Sequence, residues 1–455
     1  MTDKERRLPP PSEPMAVARQ FAGACYTHNE ALLLRHWRGG WWRWETTQWA
    51  EVEYRAVREA AYRFTENAFF VHKDKEGDLV AEPWLPNRYK IANLLEALAA
   101  VTYLAETVIQ PSWTEGHRDG IIVSCTNGLL DVETRTLGPH DPRFFNTTSV
   151  AFDFDADTLD PTRWLRFLDA IWNDDAASIA ALQEFMGYVI SGRLDLDTIL
   201  LMVGPTRAGK GAIARILTAL IGRDNVSGPT LSSLGSDFGL APLLGKSLAI
   251  ISDARLGGRD SSVVVERLLA ISGRDTITVN RKYRDQWSGQ LPTRFLVISN
   301  ELPHLGDASA AIVGRLLVLQ LSQSWLGNED RALEDQLHAE LPAILAWCLD
   351  GLDRLAAQGR FTTPAGMDEA ILTLADLASP TAAFVRDRCH RGAGLEADVD
   401  DVWTAWKTWA GDNGHTAGTR QNLGRNLRAV IPSLRVLRPR VEGERWRRYQ
   451  GIALK

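Results

Sequence analysis

The chain has only four cysteines in 455 residues, Cys25, Cys125, Cys348 and Cys389, and no two of them form a C-x-x-C pair. That scarcity excludes a disulfide framework and a cysteine-rich zinc module, and it suits a reducing cytoplasm. No apolar run approaches the about 18 residues that a membrane span needs, so no membrane association is expected. The first stretch, MTDKERRLPPPSEP, lacks the apolar core of a secretory leader, and residues 1–14 are expected to form a disordered tail. Positive charge is in deficit as well. With 51 Lys+Arg against 57 Asp+Glu the net charge is −6, which argues against non-specific nucleic-acid binding by the chain as a whole. Internal repeats and long low-complexity segments are missing too.

What is present belongs to an ordinary globular protein, 45% hydrophobic and 24% charged, long enough for about two to four domains. The charge is unevenly spread. Between Thr419 and Lys455 ten Lys/Arg face only Glu442 and Glu444. A basic end on an acidic chain is an electrostatic footprint for a polyanion such as DNA. Arg420, Arg425, Arg428, Arg445, Arg447 and Arg448 are the candidate contacts.

Residues 15–110 read as mostly helical, interrupted by HWRGGWWRWETTQWAEV, whose Gly39-Gly40 pair followed by alternating aromatics predicts a small hairpin. Its tryptophans offer faces on which bases stack, although a hairpin core is the favoured reading. Residues 119–150 alternate short apolar runs with N-G and G-P turns, a pattern of short strands. Residues 161–193 read as amphipathic helices. From Asp197 the pattern changes to buried strands separated by helices: DTILLMVG, SLAIISD, TRFLVISN and GRLLVLQL. That alternation predicts a parallel α/β sheet. Residues 276–291 alternate like a hairpin, with Arg281, Lys282 and Arg284 near the tip. Residues 359–379 look like a linker. The order of elements in 380–455, helices and then a two-strand pattern, suits a winged helix.

The stretch GPTRAGKGAIARIL follows the first of these strands. It contains G-x-x-x-x-G-K, made by Gly204, Gly209 and Lys210, between a strand and a helix, which is the context a phosphate-binding loop requires. The loop Gly204, Pro205, Thr206, Arg207, Ala208, Gly209, Lys210, Gly211 and Ala212 would surround the phosphates of ATP, its backbone N–H groups, which Pro205 lacks, turned toward them. The helix dipole adds to them, and Lys210 neutralises the β/γ oxygens. Gly211 stands where such loops carry Ser or Thr, so one Mg²⁺ ligand is missing. Because Mg²⁺ readily keeps waters, a water fills that role in this reading. Asp253, ending SLAIISD, is the candidate Mg²⁺ ligand, directly or through water. Asp253, Glu266 and Asp275 remain alternatives for orienting the attacking water. Asn300, ending TRFLVISN, is placed to meet that water or the γ-phosphate. Arg315, opening GRLLVLQL, is a candidate arginine finger reaching a neighbouring subunit.

In this order, loop, acid, hairpin, Asn and Arg resemble a superfamily 3 helicase, an AAA+ type ring ATPase. More narrowly they resemble the helicase part of the poxvirus and phage/plasmid primase-helicase family. The segment from NGLLD to LQEFMGY resembles that family's approach to its ATPase domain. RHWRGGWWRWETTQW is similar to its aromatic hairpin, and SPTAAFVRDRC…GIALK to its winged helix. The similarity spans roughly residues 29–455. It implies a hexamer that hydrolyses ATP with Mg²⁺ to translocate on single-stranded and duplex DNA in replication of a phage, prophage or plasmid. It further implies that Lys282 tracks the DNA backbone. The alternative is an initiator or loader that binds ATP with little hydrolysis, which the missing hydroxyl motivates.

The paired acids of DFDAD (153–157) read as a solvated loop, and primer synthesis is not expected of this chain. A separate primase or initiator is therefore the expected partner. The organisation expected is a tail (1–14), a collar region (15–195), an ATPase core (196–330), a helical extension and linker (331–379) and a winged-helix-like domain (380–455).

Overall fold

The computed structural model describes residues 6–108, 110–116, 120–252, 261–282, 286–303, 312–437, 440–441, 444–445 and 447–455. Asp253 and Arg284 lie outside the described residues, and the side chain of Arg445 does too.

The N-terminal region is not mostly helical. Helices α1 (Pro14–Cys25), α2 (Tyr54–Thr65) and α3 (Arg88–Val101) share a core with Phe21, Phe64, Trp84 and Leu94. They alternate with strands whose short polar turns hid them from a helical reading, such as the antiparallel pair Ala68–Lys73 and Leu79–Pro83. The tryptophan-rich stretch forms three antiparallel strands, Leu34–Trp37, Gly40–Trp44 and Trp49–Val52. Trp37, Trp41 and Trp49 are buried, and Trp37 and Trp49 pack around Phe145. They are core, as large aromatic side chains usually are. The expected disordered tail is also corrected in part. Arg6–Arg7 pair in parallel with Ala68–Phe69, and Leu8 is buried beneath them.

Two further helices, α4 (Thr162–Ile171) and α5 (Ala176–Ile190), lead into the central sheet. Its five strands are all parallel: β1 (Ile199–Val203), β2 (Val226–Ser227), β3 (Leu248–Ile251), β4 (Arg294–Ser299) and β5 (Leu316–Gln320), in the order β2-β3-β4-β1-β5. β1 is buried along its whole length. Leu200 and Met202 face α4, α5 and helix α6 (Lys210–Ile221), while Ile199, Leu201 and Val203 face helix α7 (Ser261–Ser272). A sheet covered on both faces reads as continuous apolar runs, which is why these strands were legible.

Helices α8 (Leu333–Ala339) and α9 (Leu341–Gln358) follow. α9 lies against α5 so closely that a Cβ at Gly187 would come within 2.4 Å of the Cys348 carbonyl oxygen. The expected linker contains a helix instead, α10 (Met367–Ala378), whose Ala370 and Leu374 join the apolar layer under β5. The last unit runs α11 (Pro380–Arg388), β6 (Cys389–Asp398), α12 (Val399–Asp412), α13 (Arg420–Val430), β7 (Arg435–Leu437), a short antiparallel pair (Arg440–Val441 with Glu444–Arg445) and β8 (Arg448–Leu454). The first strand of this unit pairs with the last, giving the order β6-β8-β7. β6 was not anticipated, because CHRGAGLEAD is exposed over most of its length and lacks an apolar alternation. No helix among the described residues is long and apolar enough to cross a membrane.

Candidate nucleotide site and basic surfaces

β1 ends at Val203 and the chain turns through Gly204–Gly209 into α6. Two glycines make the turn possible for different reasons. A Cβ at Gly204 would lie 2.2 Å from the Leu321 carbonyl oxygen, so only glycine lets β1 and the end of β5 approach there. Gly209 adopts φ +95°, and a Cβ on it would lie 2.8 Å from Ile171, a conformation and a fit that L side chains rarely tolerate. α6 then starts with its free N–H groups and positive dipole end at the loop. Its apolar positions, Ile213, Ile216, Leu217 and Leu220, bury it on the sheet.

Lys210 is only 6% exposed. Its Nζ donates to the carbonyls of Gly204 and Pro205, the latter at 2.7 Å, and to Oδ1 of Asn300 at 3.2 Å. The Asn300 contact follows from register. Val203 pairs with Ser299, so the residues after them meet at the carboxyl ends of adjacent strands. Burial lowers the Lys210 pKa, because the ammonium has lost water and gained no anionic partner. The loop thus holds a desolvated cation on carbonyl oxygens, a neutral set that phosphate oxygens would replace with charged ones.

The loop forms one wall of a cavity of about 640 Å³. Arg163, Arg166 and Phe167 of α4 line a second wall, and Trp325, Asn328, Glu329, Asp330 and Leu333 close it. Five cationic side chains (Arg163, Arg166, Arg207, Lys210, Arg215) face two carboxylates there, so the cavity favours a polyanion. Phe167, Trp325 and Leu333 supply apolar lining. The segment after β5 is tied to the loop, since the Trp325 N–H donates to the Arg207 carbonyl at 3.1 Å and Ser324 Oγ to the Thr206 carbonyl at 2.8 Å. None of these cavity residues outside the loop was identified from sequence. The available signal was Arg215, one helical turn after Gly211. In a helix such a side chain leans back toward the N-terminus, and its Nη1 lies 3.2 Å from where a Cβ on Gly211 would be. Nε of Arg215 pairs with Glu334 at 2.9 Å.

Of the other expected site residues, Lys210 and Asn300 are brought together and Arg315 is not. Arg315 precedes β5, at the opposite end of the sheet from the loop. It donates to the Leu269 carbonyl at 2.5 Å and to Ser272 Oγ at 2.9 Å, both at the end of α7. Asp275 follows that same helix end, remote from the loop, and Glu266 is exposed on α7. The acids of DFDAD sit in a loop pinned by Asn127, which contacts Phe154 through both backbone groups.

The expected hairpin is present, Ile277–Val279 pairing with Trp287–Gly289, and Arg281 and Lys282 follow its first strand. Arg281 adds to the burial that lowers the pKa of Arg38, a residue in the turn of the tryptophan-rich sheet. Glu106 acts on Arg38 in the opposite sense. In the last unit, Leu423 and Leu427 bury one face of α13 while Arg425 and Arg428 stand exposed on the other. Arg420 pairs with Asp400, and Arg448 with Glu396 at 3.4 Å. Arg447 is exposed.

Residues 25–173 match the family described as D5 N terminal like. Residues 202–315 match a family of unknown function (DUF5906). The fold is similar to solved structures of the NrS-1 C terminal region. An apo structure of residues 305–718 of that protein matches at TM-score 0.56 and 10% identity, covering 97% of this chain and 99% of that one. Its A form matches at TM-score 0.53 and 10% identity, covering 97% and 100%, and a further A form at 0.54 and 11%, covering 92% and 97%. Neither family model covers half of the chain, and the solved structures, at 10–11% identity, show a shared fold.

Proposed function

We propose that this chain is an ATP-dependent DNA translocase of the superfamily 3 type, acting as a helicase in replication of a phage, prophage or plasmid. The observation that carries the reading is the buried Lys210 on a glycine loop between a central parallel strand and a helix, in contact with Asn300. In this reading ATP lays its phosphates along Gly204–Ala212, with Lys210 on the β/γ oxygens and the base on apolar lining of the cavity such as Trp325. The cationic lining and the loop geometry fit that cofactor. Mg²⁺ would rest on phosphate oxygens, waters and Asp253, since Gly211 and Ala212 offer it no side-chain oxygen.

The last unit is read as a winged helix, because its helix, strand and two helices followed by a run of short strands suit one, with α13 as the helix presented to duplex DNA. Arg425, Arg428 and Arg447 are among its exposed cations, and Arg281 and Lys282 serve single-stranded DNA within a ring, a hexamer in this reading. Arg420 and Arg448 contribute less, each being already paired with a carboxylate. The rival, an ATP-binding initiator with little hydrolysis, draws on the absent hydroxyl at Gly211.

DNA-stimulated ATP turnover decides between them. The helicase reading expects turnover that DNA raises and that Lys210→Ala abolishes. Equal background turnover in both proteins would refute it. Deleting residues 380–455 is expected to leave basal ATPase intact. It should weaken duplex binding and lower the slope of log affinity against log salt by about 0.7 to 0.9 per lost phosphate contact.

A further inference from the structure

A second cavity, of about 340 Å³, lies between the collar and the core, lined by α5's end, the strand Ile122–Cys125, residues 144–150 and the start of β4. It is remote from the nucleotide loop, at the amino ends of the parallel strands. Among the described residues its one charged lining residue is Arg294, which is 4% exposed. Three carbonyls hold part of the guanidinium: Nε donates to Arg193 at 2.9 Å, and Nη1 to Pro292 at 2.9 Å and Ser247 at 3.3 Å. Tyr188 lies under it, 5.9 Å from ring centroid to Cζ. Among the described residues Nη2, with two N–H groups, has no hydrogen-bond partner, and no carboxylate pairs with Arg294. A buried cation without a counter-ion is costly, and proteins normally pair it. Burial, opposed by Tyr188, pushes the guanidinium pKa down to about 10.

The same cavity is lined by two amide side chains with unused acceptors, Asn146 Oδ1 and Gln110 Oε1. Asn146 is fixed in this sense, because its Nδ2 donates to the carbonyls of Thr47 at 3.0 Å and Thr148 at 2.8 Å. The lining therefore combines a cationic donor with neutral acceptors and hydroxyls. A fully ionised oxyanion such as sulfate satisfies only the donor. A hydrogen phosphate group accepts from the guanidinium and also donates its P–OH to an amide oxygen.

We propose that this cavity is a binding site for a hydrogen-phosphate group, either free inorganic phosphate or a terminal phosphate of nucleic acid. Arg294 is its charged anchor, and Asn146 and Gln110 are its selectivity elements. Occupancy would tie the collar to the core, because the ligands come from both. The inference is independent of the nucleotide reading.

Calorimetric titration of the full chain carrying Lys210→Ala, which removes phosphate capture by the loop, tests it. Inorganic phosphate is expected to bind one site at millimolar concentration or below, and sulfate about tenfold more weakly or worse. Arg294→Gln should abolish binding. Gln110→Glu, nearly isosteric, puts a carboxylate beside the cavity. It should likewise lose phosphate while keeping or raising the thermal midpoint in phosphate-free buffer, which shows that the loss is not misfolding. Competition by a 5′-phosphorylated dinucleotide but not by its 5′-hydroxyl form would identify nucleic acid as a source, and its failure to compete would leave free phosphate. Equal affinity for sulfate, unchanged phosphate binding in Gln110→Glu, or no phosphate binding at all would overturn the proposal.

Discussion

Restoring the missing hydroxyl is the most informative perturbation of the nucleotide loop. Gly211 is exposed in the first turn of α6, and a side chain there meets only the end of Arg215, 3.2 Å from the new Cβ. The Arg215–Glu334 pair is half-exposed, its side chains 54% and 47% accessible. Shifting that guanidinium by a few tenths of an ångström therefore risks at most the 0–1 kcal/mol typical of such pairs. Replacing glycine in a helix recovers roughly 0.5 kcal/mol for serine. Gly211→Ser should consequently fold with unchanged or slightly greater stability. Its Oγ offers Mg²⁺ a ligand. If that contact is worth about 1 kcal/mol net, the Mg²⁺ concentration for half-maximal ATP turnover falls about fivefold, since 1.4 kcal/mol is tenfold. Gly211→Ala supplies the helix gain without the oxygen and should leave the Mg²⁺ midpoint where it is. The assay is steady-state ATP hydrolysis across a Mg²⁺ series for the three proteins. Identical midpoints in all three would refute the claim that the hydroxyl's absence weakens metal binding.

Nucleotide affinity should depend on pH through Lys210. Burial lowers its pKa and phosphate contact raises it, so affinity is full below the free-state value and is lost as pH rises through it. Binding of a fluorescent ADP measured between about pH 7 and 10 should fall before the ordinary lysine range near 10.4, and a profile flat up to that range would count against the buried-cation picture. Gly187→Ala, which presses a methyl against the backbone of α9, should destabilise the fold by about 1–3 kcal/mol in urea unfolding. A native thiol titration should label one cysteine of four quickly, Cys25, because it is exposed while Cys125, Cys348 and Cys389 are buried; burial raises the Cys25 thiol as well, but pushes Cys125 up to about 12, Cys389 to about 11 and Cys348 well above its ordinary value.

Legibility followed periodicity. The core strands were read because burial on both faces leaves an uninterrupted apolar run, and the loop because glycine and lysine spacing carries the chemistry directly. Asn300 was found from its place at a strand end, and the register that brings it to Lys210 agrees. What escaped was tertiary. Phe167 and Trp325 look like generic core residues in sequence, and only the fold of α4 and the segment after β5 against the loop makes them cavity walls. The helix α10 was missed because its apolar positions, MDEAILTLADLA, were read as a loop between two better-marked helices. Arg294 gave no signal at all. An arginine opening a strand is normally exposed, and its burial depends on carbonyls contributed by three separate segments.

The ends of the sheet also constrain Arg315. β1 and β5 are parallel and in register, Ile199 opposite Leu316 and Val203 opposite Gln320. Arg315 therefore stands before the start of both strands and Gly204 after the end of both, a separation of about 16–20 Å at 3.3 Å per residue. A guanidinium so placed does not meet its own subunit's phosphates. If Arg315 serves catalysis as a finger, it serves a neighbour, and a head-to-tail contact repeated by rotation closes a ring. It must then leave the Leu269 carbonyl and Ser272 Oγ that now hold it. Mixing subunits carrying Arg315→Ala with subunits carrying Lys210→Ala distinguishes the two roles. Each variant alone is expected to be inactive. In the mixture, interfaces that combine an intact Lys210 with a neighbour's intact Arg315 should recover part of the DNA-stimulated ATPase. Full activity of Arg315→Ala by itself would show that the arginine only caps α7, and the ring would then need another source for its stabilising cation.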